Sequence, residues 1–161
     1  MKINPFSKFL SVEDTEHIRV VNWFKTNLPE VIAFHVPNEG SKTPFERYKS
    51  SLMGILKGCP DFIMLHPKHS ELKTDSSGNT YRELLYNGLM IELKAPEHNR
   101  IVKKGKDAGK IVKSKGKLSP EQSEILDKLT KLKYRAVCCF GADEAINEIQ
   151  NYFSDKLKRT K

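Results

Sequence analysis

Glu92 and Lys94 stand two residues apart in GLMIELKAP (88–96), a stretch that otherwise reads as a short buried strand. Side chains alternate along a strand, so these two charges share one face, about 7 Å apart, while Ile91 and Leu93 point to the other. Taken alone, a Glu-x-Lys in a strand reads as an ion pair on an exposed face. A charge buried on that face is costly unless it is paired or bound to a metal. Asp61 follows Pro60 and opens a second apolar run, Phe62 to Leu65, 31 positions earlier (92 − 61). If the two strands are neighbours, two carboxylates converge, and they repel each other unless a cation or a proton intervenes. Oxygen-only donors point to Mg²⁺ or Mn²⁺. A lysine beside them can orient or help deprotonate water, or stabilise negative charge in a transition state. The chemistry these residues suit is hydrolysis of a phosphodiester.

The elements that must position them follow from periodicity. Residues 12–28 read as a helix, with His17, Val20, Val21, Phe24 and Leu28 on one stripe and Pro29 as a stop. Glu13 lies one turn back on or beside that stripe, either as a further ligand or as a first-turn acid favoured by the helix dipole. VIAFHV (31–36) reads as a strand leading into a PNEG turn, and TPFERYKSSLMGILK (43–57) as a helix with Thr43 at its N-cap and Pro44 at its first position. Residues 68–80 are polar and turn-rich and can join two strands as a hairpin. SPEQSEILDKLTKL (119–132) carries the strongest helix signal: Ser119 as N-cap, Pro120 next, and the Ser-x-x-Gln spacing of a capping box. Gln122 thus has a capping job, yet it also lies on the inward stripe of Ile125, Leu126, Leu129 and Leu132. RAVCCF (135–140) is a last strand and ADEAINEIQNYF (142–153) a last helix. Interleaved strands and helices indicate an α/β domain.

At 161 residues, with 38% apolar and 30% charged residues, the chain suits one domain with a real core, about 12–153, within 1–161. No apolar run approaches a membrane span, and MKINPFSKFLSVED lacks the apolar stretch of a signal peptide. Cys59, Cys138 and Cys139 form no CxxC pair, which argues against a zinc site or a disulfide framework and fits a reducing cytoplasm. The net charge is +8, and residues 103–117 contribute +6 of it, from Lys103, Lys104, Lys106, Lys110, Lys113, Lys115 and Lys117 against Asp107. This segment, within 95–117, reads as a solvated, flexible basic loop that can also track a phosphate backbone. The tail, 154–161, is charged and expected to fray.

Pro60-Asp61 followed by Glu92-Leu93-Lys94 resembles the PD-(D/E)xK nuclease signature. Six ordered segments resemble the VRR-NUC family within that superfamily: EDTEHIRVVNWF (13–24), HVPNEG (35–40), KGCPDFIML (57–65), GLMIELK (88–94), KGKLSPEQSEILDKL (115–129) and YRAVCCFGADEAINEIQNYF (134–153). The resemblance spans Glu13 to Phe153. It implies a restriction-endonuclease-like core, a central mixed β-sheet flanked by helices, and Mg²⁺- or Mn²⁺-dependent cleavage of DNA. It makes Asp61 and Glu92 metal-binding carboxylates, Lys94 the catalytic lysine, Leu93 a carbonyl ligand, Glu13 the first-helix ligand and Gln122 a further catalytic residue. His17 stands where the family often has glutamine and is read as a neighbour of the site. His35 and Asn38 read as a strand end and tight turn, or alternatively as lining a DNA groove with the lysines of 103–117. Stand-alone relatives of phage type imply a homodimer acting on branched DNA in the manner of a Holliday-junction resolvase. The alternatives are a nuclease of linear, nicked or flap DNA, and a non-catalytic nucleic-acid-binding module on the same fold.

Overall fold

A computed structural model describes residues 8–36 and 43–157. Elements run α1 (Val12–Asn27), β1 (Ala33–His35), α2 (Pro44–Leu52), β2 (Phe62–Met64), β3 (Lys68–His69), β4 (Lys73–Thr74), β5 (Thr80–Tyr81), β6 (Leu84–Tyr86), β7 (Leu89–Lys94), β8 (His98–Ile101), β9 (Ile111–Ser114), α3 (Pro120–Lys131), β10 (Arg135–Phe140), α4 (Ala142–Tyr152) and α5 (Ser154–Leu157). Four strands form a mixed sheet in the order β1-β2-β7-β10. β1 is antiparallel to β2, and β2 to β7. β10 runs parallel to β7: the Arg135 N–H donates to the Gly88 carbonyl and the Gly141 N–H to the Lys94 carbonyl, both at 2.9 Å, so the partners advance together. Parallel neighbours need a long crossover, and residues 95–134, which include α3, supply it.

The chain divides into two compact units that exchange segments: Met1–Glu30, Leu93–Leu118 and Cys138–Lys161 in one, Val31–Glu92 and Ser119–Val137 in the other. In the first, α1 packs on α4, and Val20, Leu28, Ala145, Ile149, Tyr152 and Phe153 are buried. Ser11 and Asp14 make a capping box at the start of α1, and the Ser11 hydroxyl and amide hold the Asp14 carboxyl below its usual range. α4 begins at Gly141, whose φ of 91° suits glycine and which offers no side chain as a cap. Glu16 takes that role from α1: its Oε2 accepts from the Ala142 N–H at 2.6 Å. Arg19 then bridges Glu16 and Asp143 at 2.8 and 2.7 Å.

In the second unit Phe62 pairs with Ile91 and Met64 with Leu89, and these four join Val31, Met90 and Leu126 in the core. β2 starts after Pro60, as expected where a missing N–H tolerates only the start or edge of a ladder. Ser119 caps α3 and Pro120 sits in its first turn. Gly58 has a φ of 82°, and a Cβ there would stand 2.8 Å from the Glu121 carbonyl, so the approach to Pro60 and Asp61 requires glycine. Lys57 pairs with Glu121 and holds its carboxyl below the usual range.

Several expectations are corrected. The segment 95–117 is not simply a loop: β8 and β9 pair as a hairpin, His98 opposite Ser114 and Ile101 opposite Ile111. The β-branched pairs Ile101-Val102 and Ile111-Val112 flank a turn whose Gly105 and Gly109 adopt positive φ, and this strand chemistry outweighs the lysines around it. α2 stops at Leu52 rather than Lys57, just before Gly54 at φ 74°. Leu132 is exposed, because it caps the helix end instead of continuing the stripe. Residues 154–157 form the short α5. The polar segment 68–80 does fold back as a hairpin, β3 on β6 and β4 on β5. The three cysteines are thiols, and among the described residues no helix is long and apolar enough to cross a membrane.

Glu16→Ala removes both the α4 cap and a partner of Arg19. It is expected to lower stability by about 1–2 kcal/mol, read as a shifted midpoint with an unchanged slope in urea unfolding.

Candidate active site

β7 is buried along its whole length, on both faces, as a central strand should be. Leu89, Ile91 and Leu93 are fully covered on one face. On the other, Glu92 is 1% and Lys94 6% exposed. The bland reading of Glu-x-Lys, an ion pair on a solvated face, therefore fails.

In the second unit, four of the expected residues come together: His35, Asp61, Glu92 and Gln122. The β2–β7 register pairs Phe62 with Ile91, and extending it by one residue sets Asp61 opposite Glu92. Side chains at directly opposed positions lie on one face with Cβ atoms about 5 Å apart. Asp61 is 6% exposed, and its backbone carbonyl accepts from the Val36 N–H at 3.1 Å. The same carbonyl lies 3.0 Å from His35 Nδ1, and since a carbonyl only accepts, that nitrogen carries the proton. His35 is thus anchored at the Asp61 backbone, with its ring tilted against Phe62 at 6.3 Å.

Gln122 performs both of the jobs the sequence allowed. Its Oε1 accepts from the Ser119 N–H at 2.9 Å while its own N–H donates to Ser119 Oγ at 3.2 Å, closing the capping box. The amide nitrogen is then the end that faces inward, and Nε2 donates to Glu92 Oε1. A helix cap orients the amide and the amide orients the carboxylate.

In the first unit, Glu13 reaches the end of β7. Its Oε2 accepts from the Ala95 N–H at 3.2 Å, and its Oε1 lies 3.5 Å from Lys94 Nζ. Lys94 is buried with the Glu13 carboxyl beside it. Leu93 has its side chain in the core. His17 is half-buried on α1. Asn38 lies outside the described residues.

The seven lysines are exposed along the β8–β9 hairpin and its exit. Lys110 pairs with Asp107 at 2.7 Å and Lys113 with Glu97 at 2.8 Å. Lys115 Nζ sits 3.8 Å above the Phe140 ring, a cation–π contact. Among the described residues no group of three or more His, Cys, Asp or Glu is gathered as for a metal.

Gly116 was not singled out from the sequence. Its N–H donates to the Ala95 carbonyl at 2.9 Å, and a Cβ on it would stand 2.8 Å from both Lys94 Cβ and the Ala95 nitrogen. The exit of β9 presses its backbone onto the lysine. The available signal was an isolated glycine inside an alternating run, IVKSKGKL, which marks close backbone approach.

Comparison of the sequence with family models finds no match, and comparison with curated proteins finds none. Among solved structures, a VRR_NUC domain protein matches over 90% of this chain and 90% of its own, at 24% identity and a TM-score of 0.56. The two share a fold. The mixed central sheet with flanking helices is the restriction-endonuclease-like fold expected from the sequence.

Gly116→Ala forces a methyl group into the Lys94–Ala95 backbone. A loss of about 1–3 kcal/mol in chemical denaturation is expected, larger than for alanine at an exposed position of the same hairpin.

Proposed function

We propose that this chain is a divalent-metal-dependent DNA endonuclease of the VRR-NUC type. One observation carries the reading: Asp61 and Glu92 are both buried, and the β2–β7 register extended by one residue sets them opposite each other, with Lys94 next on the Glu92 face of β7. Two buried carboxylates suit a hard cation. Mg²⁺ is commonly held by one or two carboxylates, with water and substrate phosphate completing its shell, so the absence of a third gathered carboxylate is compatible with it.

Asp61 and Glu92 would hold the cation; the resemblance adds the Leu93 carbonyl and Glu13. When bound, such an ion polarises a phosphoryl oxygen and makes water a stronger acid. Gln122 keeps the Glu92 carboxylate in one rotamer through the Nε2 hydrogen bond. Lys94, a cation in a water-poor site, donates hydrogen bonds to the attacking water or to the charge gathering on the phosphate. Glu13, itself held by the Ala95 amide, keeps the Lys94 ammonium in place. His35 and the hairpin lysines contact the phosphate backbone. By the same resemblance the substrate is branched DNA and the working form a homodimer.

The test is incubation of the protein with duplex, nicked, flap and four-way DNAs, with Mg²⁺ or Mn²⁺ and with EDTA. Cleavage is expected only with metal, and fastest on a branched substrate. Glu92→Ala and Lys94→Ala are expected to slow cleavage by about 10²–10⁴ with folding intact by circular dichroism. No metal-dependent product on any substrate would refute the enzyme, and a fully active Lys94→Ala would refute the site.

A further inference from the structure

Ile101 and Ile111 are cross-strand partners in the β8–β9 hairpin, and both are exposed, at 60% and 69%. Directly opposed residues share a face, so they form one continuous apolar patch rather than two scattered residues. Strand alternation puts the next pair, Asn99 and Lys113, on the same outer face. The sequence either side of the patch carries an excess of lysine over acid, with Lys110 paired to Asp107 and Lys113 to Glu97. Lys103, Lys104, Lys106 and Lys110 lie in the turn beyond it, all exposed, and Lys113, Lys115 and Lys117 recur every second residue on the outer side of β9 and its exit. The intervening Val112, Ser114 and Gly116 are half-buried, so one side of β9 rests on the protein while its isoleucine and lysine side faces out; Arg100, opposite Val112, is exposed. The hairpin extends past its formal ends, with the Val102 N–H on the Lys110 carbonyl at 2.9 Å and the Gly109 N–H on the Val102 carbonyl at 2.8 Å. The patch therefore sits on a paired, two-stranded support.

An Ile–Ile pair adds modestly to a hairpin, and that alone does not require the bulk to face outward among lysines. The surrounding charge selects the occupant: an apolar surface ringed by cations complements a base pair flanked by its two phosphate strands. We infer that this hairpin is a wedge, in which the lysines seat the phosphates and the Ile101–Ile111 pair packs against the exposed face of a base pair where a duplex is interrupted. Apolar side chains inserted at base steps unstack them, at a cost that is least where stacking is already broken. The wedge thus favours branched or nicked DNA over continuous duplex. This rests on the nucleic-acid part of the function proposed above and not on catalysis.

The experiment uses the full chain in EDTA, so that no strand is cut. Four-way, nicked and continuous duplexes carry 2-aminopurine beside the branch, the nick, or the matching position. Wild type is expected to raise 2-aminopurine fluorescence several-fold at the branch and the nick, and not in continuous duplex. Ile101→Thr/Ile111→Thr keeps β-branched residues in the strands and removes the apolar surface. It is expected to bind with the same salt dependence and to lose the rise. Lys103→Ala/Lys104→Ala/Lys106→Ala is expected to do the reverse: weaker binding, a salt slope reduced by about 0.9 per lysine, and the rise restored at saturating protein. A rise unchanged in the isoleucine variant overturns the wedge, as does wild type that binds without unstacking, or that binds no DNA. Failure of the nuclease reading would appear instead as an absence of cleavage in metal, with the fluorescence rise retained.

Discussion

The structure turns on burying three ionisable side chains without leaving them to drift, Asp61 and Glu92 in one unit and Lys94 in the other. Asp61, Glu92 and Lys94 are each at most 6% exposed, and taking such groups out of water costs several kcal/mol apiece before any compensation. Their neighbours each answer that cost and fix an orientation at once. Gln122 is held by Ser119 and in turn holds Glu92. Glu13 is held by the Ala95 amide and in turn faces Lys94. Asp61 is fixed through its backbone by Val36 and His35. Rigid orientation is what the proposed hydrolytic site would need, since a misplacement of about 1 Å can cost on the order of 10²-fold in rate.

Two glycines allow the backbone to come close enough for this. Gly58 admits the Glu121 carbonyl at the start of α3, and Gly116 admits the Lys94 Cβ and the Ala95 amide. Both are contacts where a methyl group would collide with backbone, which yields less readily than a side-chain tip. β7 is the common member: Leu89, Ile91 and Leu93 are fully covered on one face, and Glu92 and Lys94 lie on the other with Met90. A shift of one residue in its pairing with β2 would exchange the two sets, so the register that builds the core is also the register that opposes Asp61 to Glu92.

Much of this was legible in the sequence, for identifiable reasons. The alternation of GLMIELK gave β7 and put Glu92 and Lys94 on one face. Ser119, Pro120 and Gln122 gave α3 through local capping chemistry, and Gln122 on the inward stripe pointed to its second partner. Burial of both faces of β7 was not legible, because a short apolar run with two charges fits an edge strand equally well and only tertiary packing distinguishes them. The engagement of Glu13 with Lys94 and the Ala95 amide depends on contacts about 80 residues apart (94 − 13 and 95 − 13), beyond any local pattern. The hairpin at 95–117 was hidden by composition: its lysines argued for a solvated loop, while the alternation in IVKSKGKL, with every second residue turned inward, carried the opposite message.

In the function proposed here, Asp61 and Glu92 together hold a divalent cation. Mn²⁺ binding followed by electron paramagnetic resonance tests it without requiring DNA or turnover. Wild type is expected to sequester Mn²⁺. Asp61→Asn and Glu92→Gln, which keep shape and remove charge, should each weaken binding by more than the roughly tenfold that losing even an outer-shell partner can cost. Mn²⁺ affinity unchanged in both variants would contradict the account.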